Sequence, residues 1–561
     1  MDKKLILKYA LNNALMFNGK ANIGSVIGKV LQEKPELKSK IKELQPLVKE
    51  TVDEVNALPL EDQKVKLDKL DVKPIPKKKQ EKKGELPDLK NAIKGKFITR
   101  IPPEPSKYLH IGHALSFLIN YLYSKKYEGK CVLRFEDTNP EKSSKEYLDS
   151  IKEDLEWLDI KPSKEVIVSN DMEKIYNYAE TLIKKGNAYV CGCPREQMST
   201  LRNKGQECGC RSFPLDRNIK EWQKMKDGTY KDGEVILRLK ADMESNNYAM
   251  RDPVLFRICN TKHYLHGKKY SAWPMYDLAG TIEDELCNIT HILRSGEFGE
   301  MRVELQNYLK QLLGFKIQTI IQYGRFNVIG ATTQGREIRE LIEQKKVIGW
   351  DDPSLVTLKA LRRRGIVKES FYQLAKEIGL SKTQTNIDFQ LIASINRKIL
   401  DSKCNRYFFI NQPIKIKVEK APAQKLELKL HPDFPEKGKR TFETKDEFYI
   451  TKEDHKALTN NKLYRLMDSL NFIKKTNKLI FDSLEHEKYK EKGEKIIHWL
   501  PVHKDLVDVE VLMPDKKVIK GKGEQSLTKL KEGDIIQFTR FGFCRLDKKE
   551  KDKFVFWYTH D

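Results

Sequence analysis

Two histidines three positions apart, His110 and His113, bracket Gly112 in "EPSKYLHIGHALSFLIN" (residues 104–120), where an apolar strand gives way to an amphipathic helix. Imidazoles so placed can pack, hold a metal or grip an anion. A metal pair on a helix would want a carboxylate as in H-E-x-x-H, and none follows at that position. A helix N-terminus instead offers unpaired amides to an anion, and a glycine lets the ligand approach the backbone. For a bare pair of histidines, packing remains the default, and the neighbouring sequence has to decide.

The second constellation is "CGCPREQMSTLRNKGQECGCR", with Cys191, Cys193, Cys208 and Cys210. Two C-x-C pairs separated by fourteen residues suit a closed tetrahedral zinc site with four thiolate ligands, which would serve folding and not catalysis. The alternative is four buried thiols without a metal. The other five cysteines are scattered, mostly among apolar neighbours, and read as small buried hydrophobes. An odd total of nine argues against a disulfide framework.

The elements that would position these groups alternate in type. "KFITRIPP" and "KCVLRFED" read as strands, and 113–126 and "SKEYLDSIKEDLEWL" as helices with one apolar face. The pattern resumes with "NITHILR", "EMRVELQNYLKQLLG" and "QTIIQYGRF". Strand alternating with helix implies a parallel α/β sheet, whose ligands sit beyond the carboxyl ends of the strands. Between the halves, about 190–265 reads as an irregular insertion carrying the cysteines. Residues 1–72 are helical in pattern, and 73–95, opening "KPIPKKKQEKKGELPD", reads as a basic linker. The expected divisions are an α/β domain over 96–350, a helical stretch over 351–403, and short strands over 404–561 forming one or two β-barrels.

The chain of 561 residues carries 105 Lys and Arg and a net charge of +24. That excess favours a polyanionic partner through counterion release, or else reflects a lysine-rich proteome. No apolar run is long enough to span a bilayer, and the N-terminal stretch lacks a signal-peptide cleavage site, so a cytoplasmic protein is expected.

"TRIPPEPSKYLHIGHAL" resembles the HIGH signature of class I aminoacyl-tRNA synthetases, with residues 110–113 matching letter for letter. It is similar to the version in archaeal and eukaryotic-type glutamyl-tRNA synthetases and in glutaminyl-tRNA synthetases. "LRFEDTNP", "WPMYDL", "ITHILRSGEF" and "GWDDPSLVTLKALRRRGI" agree in the same order, so the likeness runs over nearly the whole chain. It implies a multidomain α/β plus all-β protein: a Rossmann-type catalytic domain with an acceptor-binding, zinc-bearing insertion, a helical stem, anticodon-binding β-barrels and an N-terminal helical extension. It further implies ATP with Mg2+, L-glutamate, tRNA(Glu) with tRNA(Gln) as a second acceptor, and a monomer. His110, Gly112 and His113 would bind ATP phosphates.

Within that resemblance, Arg100 and Arg294 can grip carboxylates bidentately, Glu136 can hold the ammonium, and Tyr276 can add a hydroxyl and a ring wall. Glu104 belongs to the same substrate set. In the glutaminyl family the position of Arg294 is typically a neutral cysteine, so arginine there implies glutamate as substrate. The glutaminyl enzyme and a non-ligating tRNA-binding paralogue are the alternatives.

One expected part is altered. The second ATP loop of the class, KMSKS, falls on "GATTQGREI" (330–338), with Gly335 where its second lysine should stand. Thr332, Thr333, Gln334 and the loop amides would line the phosphates, with Arg336 as the nearest substitute cation.

Overall fold

The computed structural model describes residues 3–17, 19–70, 85–551 and 553–561. Two compact units divide the chain, residues 1–83 and 84–561.

The first unit holds α1 (Lys3–Met16), α2 (Ile23–Glu33), α3 (Ile41–Asn56) and α4 (Leu60–Asp68). Leucine and valine at three- and four-residue spacing put Leu44, Val48, Val52 and Val55 on one buried face of α3, packed with Ala10, Leu11 and Ala14 of α1. Most of the basic linker expected from 73 lies outside the described residues. Its last part, 85–95, packs on the second unit: Leu86, Leu89 and Ala92 join Phe97 and Tyr127, and the Leu89 amide donates to the Tyr127 hydroxyl at 2.7 Å. Apolar residues at 86, 89 and 92 give this stretch a docking face that lysine-rich spacers lack.

In the second unit, β1 (Ile98–Ile101), α5 (Ile111–Lys126), β2 (Lys130–Phe135), α6 (Lys145–Trp157) and β3 (Lys164–Ile167) form parallel β-α-β crossovers, Arg100 opposite Val132 and Val132 opposite Lys164. After α7 (Met172–Lys184) the chain leaves this sheet. The region expected to be irregular is instead an antiparallel four-stranded sheet of β4 (Ala188–Cys191), β5 (Ile236–Leu239), β6 (Val254–Ile258) and β7 (Ala272–Pro274), with α8 (Arg195–Lys204) and α9 (Leu215–Lys226) between β4 and β5. These strands are three to five residues long, too short to show an alternation. What orders them is burial: Trp222, Leu237, Phe256 and Trp273 share one core.

The chain returns through α10 (Tyr276–Leu286) to β8 (His291–Ser295), α11 (Gly299–Leu313) and β9 (Thr319–Tyr323). β8 pairs parallel with β9 and lies on the free side of β1, where the Thr290 amide donates to the Ile98 carbonyl at 2.9 Å. The buried Asn120 of α5 stitches the two strands together: its carbonyl accepts from the Thr99 hydroxyl at 2.7 Å and its amide donates to the Leu293 carbonyl at 3.3 Å. β1 thus has β2 on one side and β8 on the other, reached by crossovers running in opposite directions. That switch in strand order opens a crevice beyond the carboxyl ends of β1 and β8.

β10 (Phe326–Val328) and α12 (Gly335–Glu343) precede a helical segment of α13 (Leu358–Arg364), α14 (Lys368–Ile378) and α15 (Phe389–Asp401), in which β11 (Thr385–Ile387) pairs back to β10. Its apolar residues Leu358, Leu361, Phe371 and Ile392 share a core with α5 and α6. Residues 406–560 are β-rich, in two seven-stranded sheets with separate cores, one around Trp499 and one around Phe538 and Phe556. Arg363 of α13 donates to both carboxylate oxygens of Asp547 at 2.7 Å, tying the helical segment to the second of these sheets. Among the described residues, no helix is long and apolar enough to cross a membrane.

Candidate active site

His110 is the N-cap of α5 and His113 its third residue. The Gly112 amide donates to His110 Nδ1 at 3.1 Å, and the His110 amide donates to His113 Nδ1 at 3.2 Å. Both Nδ1 atoms therefore act as acceptors, and in the neutral rings the proton sits on Nε2 of each. Burial drives His110 down to about 3 and His113 well below its ordinary value, with Lys107 adding to both. The rings lie 3.8 Å apart as neutral donors. A Cβ at 112 would stand 3.0 Å from His110 Cε1, so a larger residue would push that ring out of place. The turn is anchored from the far side: Ile111 donates to the Val356 carbonyl and Leu358 to that of Leu109. So "HIGH" is held by "SLVTL", over two hundred residues later.

Beside this turn, Arg100, Arg134, Glu136, Asp284 and Arg294 form a buried charge cluster. Arg134, 1% exposed, donates to Asp284 and to Glu136, both at 2.7 Å. Arg100 reaches the Leu293 carbonyl at 3.4 Å, with its Nε 3.5 Å from Asp284. Burial raises Glu136 against the pull of Arg134, whereas at Asp284 the two arginines outweigh burial and hold the carboxyl below its usual range. Arg294, 5% exposed, donates to Gln306 Oε1 at 2.9 Å, and Gln306 donates on to Asp277 at 3.0 Å. Asp277 in turn is ion-paired to Arg302. A cavity of about 470 Å³ opens here, lined by Glu104, Glu136, Arg257, Tyr276 and Gly280 among others. Arg100 and Arg294 do not line this cavity; they lie behind it, Arg100 through Asp284 and Arg294 through Gln306 and Asp277, and both lower the Tyr276 hydroxyl against its burial.

Of the predicted substrate set, Arg100, Glu136, Tyr276 and Arg294 converge, while Glu104 is exposed at the rim. Sequence reasoning missed Arg134, Asp284, Gln306 and the buried Lys310. It also missed Asp137, fully buried, whose carboxylate accepts from the Ser169 amide at 2.9 Å, the Ser169 hydroxyl at 2.7 Å and the Tyr264 hydroxyl at 2.9 Å. With the Glu136 amide bonded to the Pro103 carbonyl at 2.9 Å, that anchor fixes the "FED" turn. Adjacent acids in a turn were the available signal.

The loop at 332–336 differs from expectation at its cation. Gln334 caps α12 and Gly335 is its first residue, so the loop amides do open toward a helix N-terminus. The Thr332 hydroxyl is committed to Glu337 and also accepts from the Gln334 amide at 3.2 Å; Thr333 is half-buried. Arg336 has an 86% exposed side chain and pairs with Glu340 at 2.9 Å, an (i, i+4) bond along the outer face of the helix. It is the cation nearest in sequence and is turned away.

The cysteines assemble as predicted in geometry. Cys191 ends β4, and the Sγ atoms of Cys191, Cys193, Cys208 and Cys210 all lie within 4.8 Å of one another. The closest pairs are 3.8 Å (Cys191, Cys208) and 3.7 Å (Cys193, Cys210). Zn–S bonds of about 2.3 Å in a tetrahedron put sulfurs about 3.8 Å apart, so the donor set fits zinc. The buried Arg238 approaches Cys208 Sγ at 3.5 Å, a cation suited to a thiolate-rich site.

Comparison with known proteins agrees with this architecture. Residues 96–402 match the family described as tRNA synthetases class I (E and Q), catalytic domain, and residues 404–499 and 496–547 match its two anticodon-binding domains. A glutamate–tRNA ligase of Pyrococcus furiosus is 40% identical over 573 residues, covering 100% of this chain and 99% of that one. One from Methanocaldococcus jannaschii is 39% identical over 564 residues, covering all of both chains. The chain belongs to the class I tRNA synthetases of the E and Q type.

Proposed function

We propose that this protein is a glutamate–tRNA ligase with a Rossmann-type catalytic domain, joining L-glutamate to tRNA(Glu) through a glutamyl-adenylate. The observation that carries the reading is Arg294, a buried arginine braced by Gln306 and Asp277 beside the Tyr276 pocket. A buried cation rewards a γ-carboxylate and would leave a neutral amide facing an uncompensated charge. Arg100 serves the second carboxylate group of the pocket, and Glu136 the ammonium.

In the first step a glutamate carboxylate oxygen attacks the α-phosphorus of ATP. The P–O bond to the bridging oxygen breaks, and diphosphate leaves with the electron pair. The His110 and His113 Nε2–H groups donate to the phosphate oxygens as negative charge builds on them, and being neutral and fixed they need no reorganisation. Mg2+ accompanies ATP. In the second step a ribose hydroxyl of tRNA takes the acyl group and AMP leaves. The two barrels and the basic surface support a long tRNA contact, with tRNA(Gln) a second acceptor of the same shape. Zinc, held by the four cysteines, cross-links the insertion as a structural element. The chain acts as a cytoplasmic monomer.

The test is diphosphate exchange with tRNA present, glutamate against glutamine. Glutamate-dependent exchange that falls by roughly a hundredfold in Arg294→Ala, with ATP affinity kept, is expected for loss of a charged contact. Exchange driven equally well by glutamine overturns the assignment.

A further inference from the structure

The loop that should supply a lysine supplies Gly335, and Arg336 points outward, so the loop residues themselves offer no cation; one turn into α12, Arg339 brings Nη1 to 3.6 Å from where a Cβ of residue 335 would stand and donates to the Tyr147 hydroxyl at 3.4 Å. The space beside Gly335 is not open. A Cβ there would stand 3.2 Å from Lys107 Cβ and 3.5 Å from Lys107 Cδ. The Lys107 stem therefore lies along the position where a side chain from residue 335 would emerge. Lys107 belongs to the opposite jaw, three residues before His110, and its charge acts on both His110 and His113. It is half-buried, and among the described residues no salt bridge or hydrogen bond holds its ammonium. Glu104 and Glu297 act on it only at longer range, and burial lowers its basicity. An ammonium without a bonded partner, beside two neutral histidines and the start of α12, has the chemistry of a phosphate contact.

We propose that Lys107 is a catalytic residue that takes the place of the missing lysine of the second ATP loop, its ammonium contacting the ATP phosphates from the histidine side. The proposal rests on the adenylate-forming reading above. The two jaws have then exchanged their parts: the lysine stands on the first, and the glycine on the second leaves room for its stem. An ammonium held at the phosphates neutralises charge that grows as diphosphate departs, so its effect falls mostly on the rate.

The experiment uses the full chain with tRNA, measuring glutamate-dependent diphosphate exchange and, separately, equilibrium binding of Mg2+-ATP. Lys107→Met should lower kcat by roughly a hundredfold and weaken ATP by roughly tenfold, at unchanged melting temperature. Lys107→Arg should keep most of the rate. The decisive variant is the exchange K107G/G335K, in which the first change removes the Cβ that would crowd the second. It should recover at least tenfold over Lys107→Gly alone. Wild-type rate and ATP affinity in Lys107→Met overturn the proposal, as does a loss relieved by neither Lys107→Arg nor the exchange. Wild-type protein that binds ATP through Lys107 but never activates glutamate would instead overturn the assignment of glutamate and leave the phosphate contact standing.

Discussion

Gln306 lies between Arg294 and Asp277, accepting from the guanidinium at 2.9 Å and donating to the carboxylate at 3.0 Å. It is 4% exposed and sits on α11, whereas Arg294 is on β8 and Asp277 on α10. Three elements thus meet at one amide, and the arginine proposed to read the substrate is aimed by a group that need not touch it.

Gln306→Leu keeps the volume and removes the relay. A hydrogen bond to a charged group contributes about 1.5–3 kcal/mol, so the KM for glutamate should rise by roughly ten- to hundredfold. The KM for ATP should hold, because His110 and His113 are fixed through Val356 and Leu109 instead. Steady-state kinetics with each substrate varied separates the two. Equal rises in both constants would show that the relay braces the whole crevice and not Arg294.

The cysteine cluster predicts a metal-dependent insertion. With sulfur–sulfur contacts of 3.8 and 3.7 Å, the purified chain should carry about one zinc. Cys208→Ser should lower the zinc content and drop the melting temperature by several degrees, since a structural zinc contributes folding free energy directly. Glutamate and ATP constants should change little. A chain that keeps its melting temperature after exhaustive chelation would refute a structural role.

What could be read in the sequence divides along a physical line. The helix start at His110, Gly112 and His113 was legible because one turn of chain carries it, and the place of Arg294 near the end of a strand because that strand's pattern is plain. The insertion was misjudged because β4 and β5 are separated by more than forty residues, so nothing local marks them as partners. Arg336 was read as a phosphate cation, yet Glu340 stands one helical turn on, and that spacing forecasts a surface pair. Gln306 and Lys310 were invisible for the opposite reason. In "EMRVELQNYLKQLLG" they sit where an amphipathic helix would show polar residues to water. They are buried because the crevice itself is polar, a property no single segment carries.

Lys310 supplies the last prediction. It is 1% exposed on α11, its Nζ has no hydrogen-bond partner among the described residues, and burial lowers it to about 8. The charges acting on it come from three other elements: Asp284 and Glu285 on α10, Arg294 on β8 and Arg100 on β1. A lysine depressed in the folded state binds fewer protons there than in the unfolded chain between about pH 8 and 10.5, so stability rises with pH through that window. Below it the full penalty applies, on the order of 3 kcal/mol. Lys310→Met should therefore raise the melting temperature at pH 7, with the advantage shrinking toward pH 10. The same ammonium favours a doubly acidic substrate, so the variant should bind glutamate more weakly at pH 7. Wild-type KM for glutamate should climb above pH 8 more steeply than that of Lys310→Met. Stability and affinity thus move in opposite directions, as expected where a binding site holds charge that the fold alone would exclude. A variant that loses stability at pH 7 would show Lys310 to be a structural ion-pair partner of Asp284 instead.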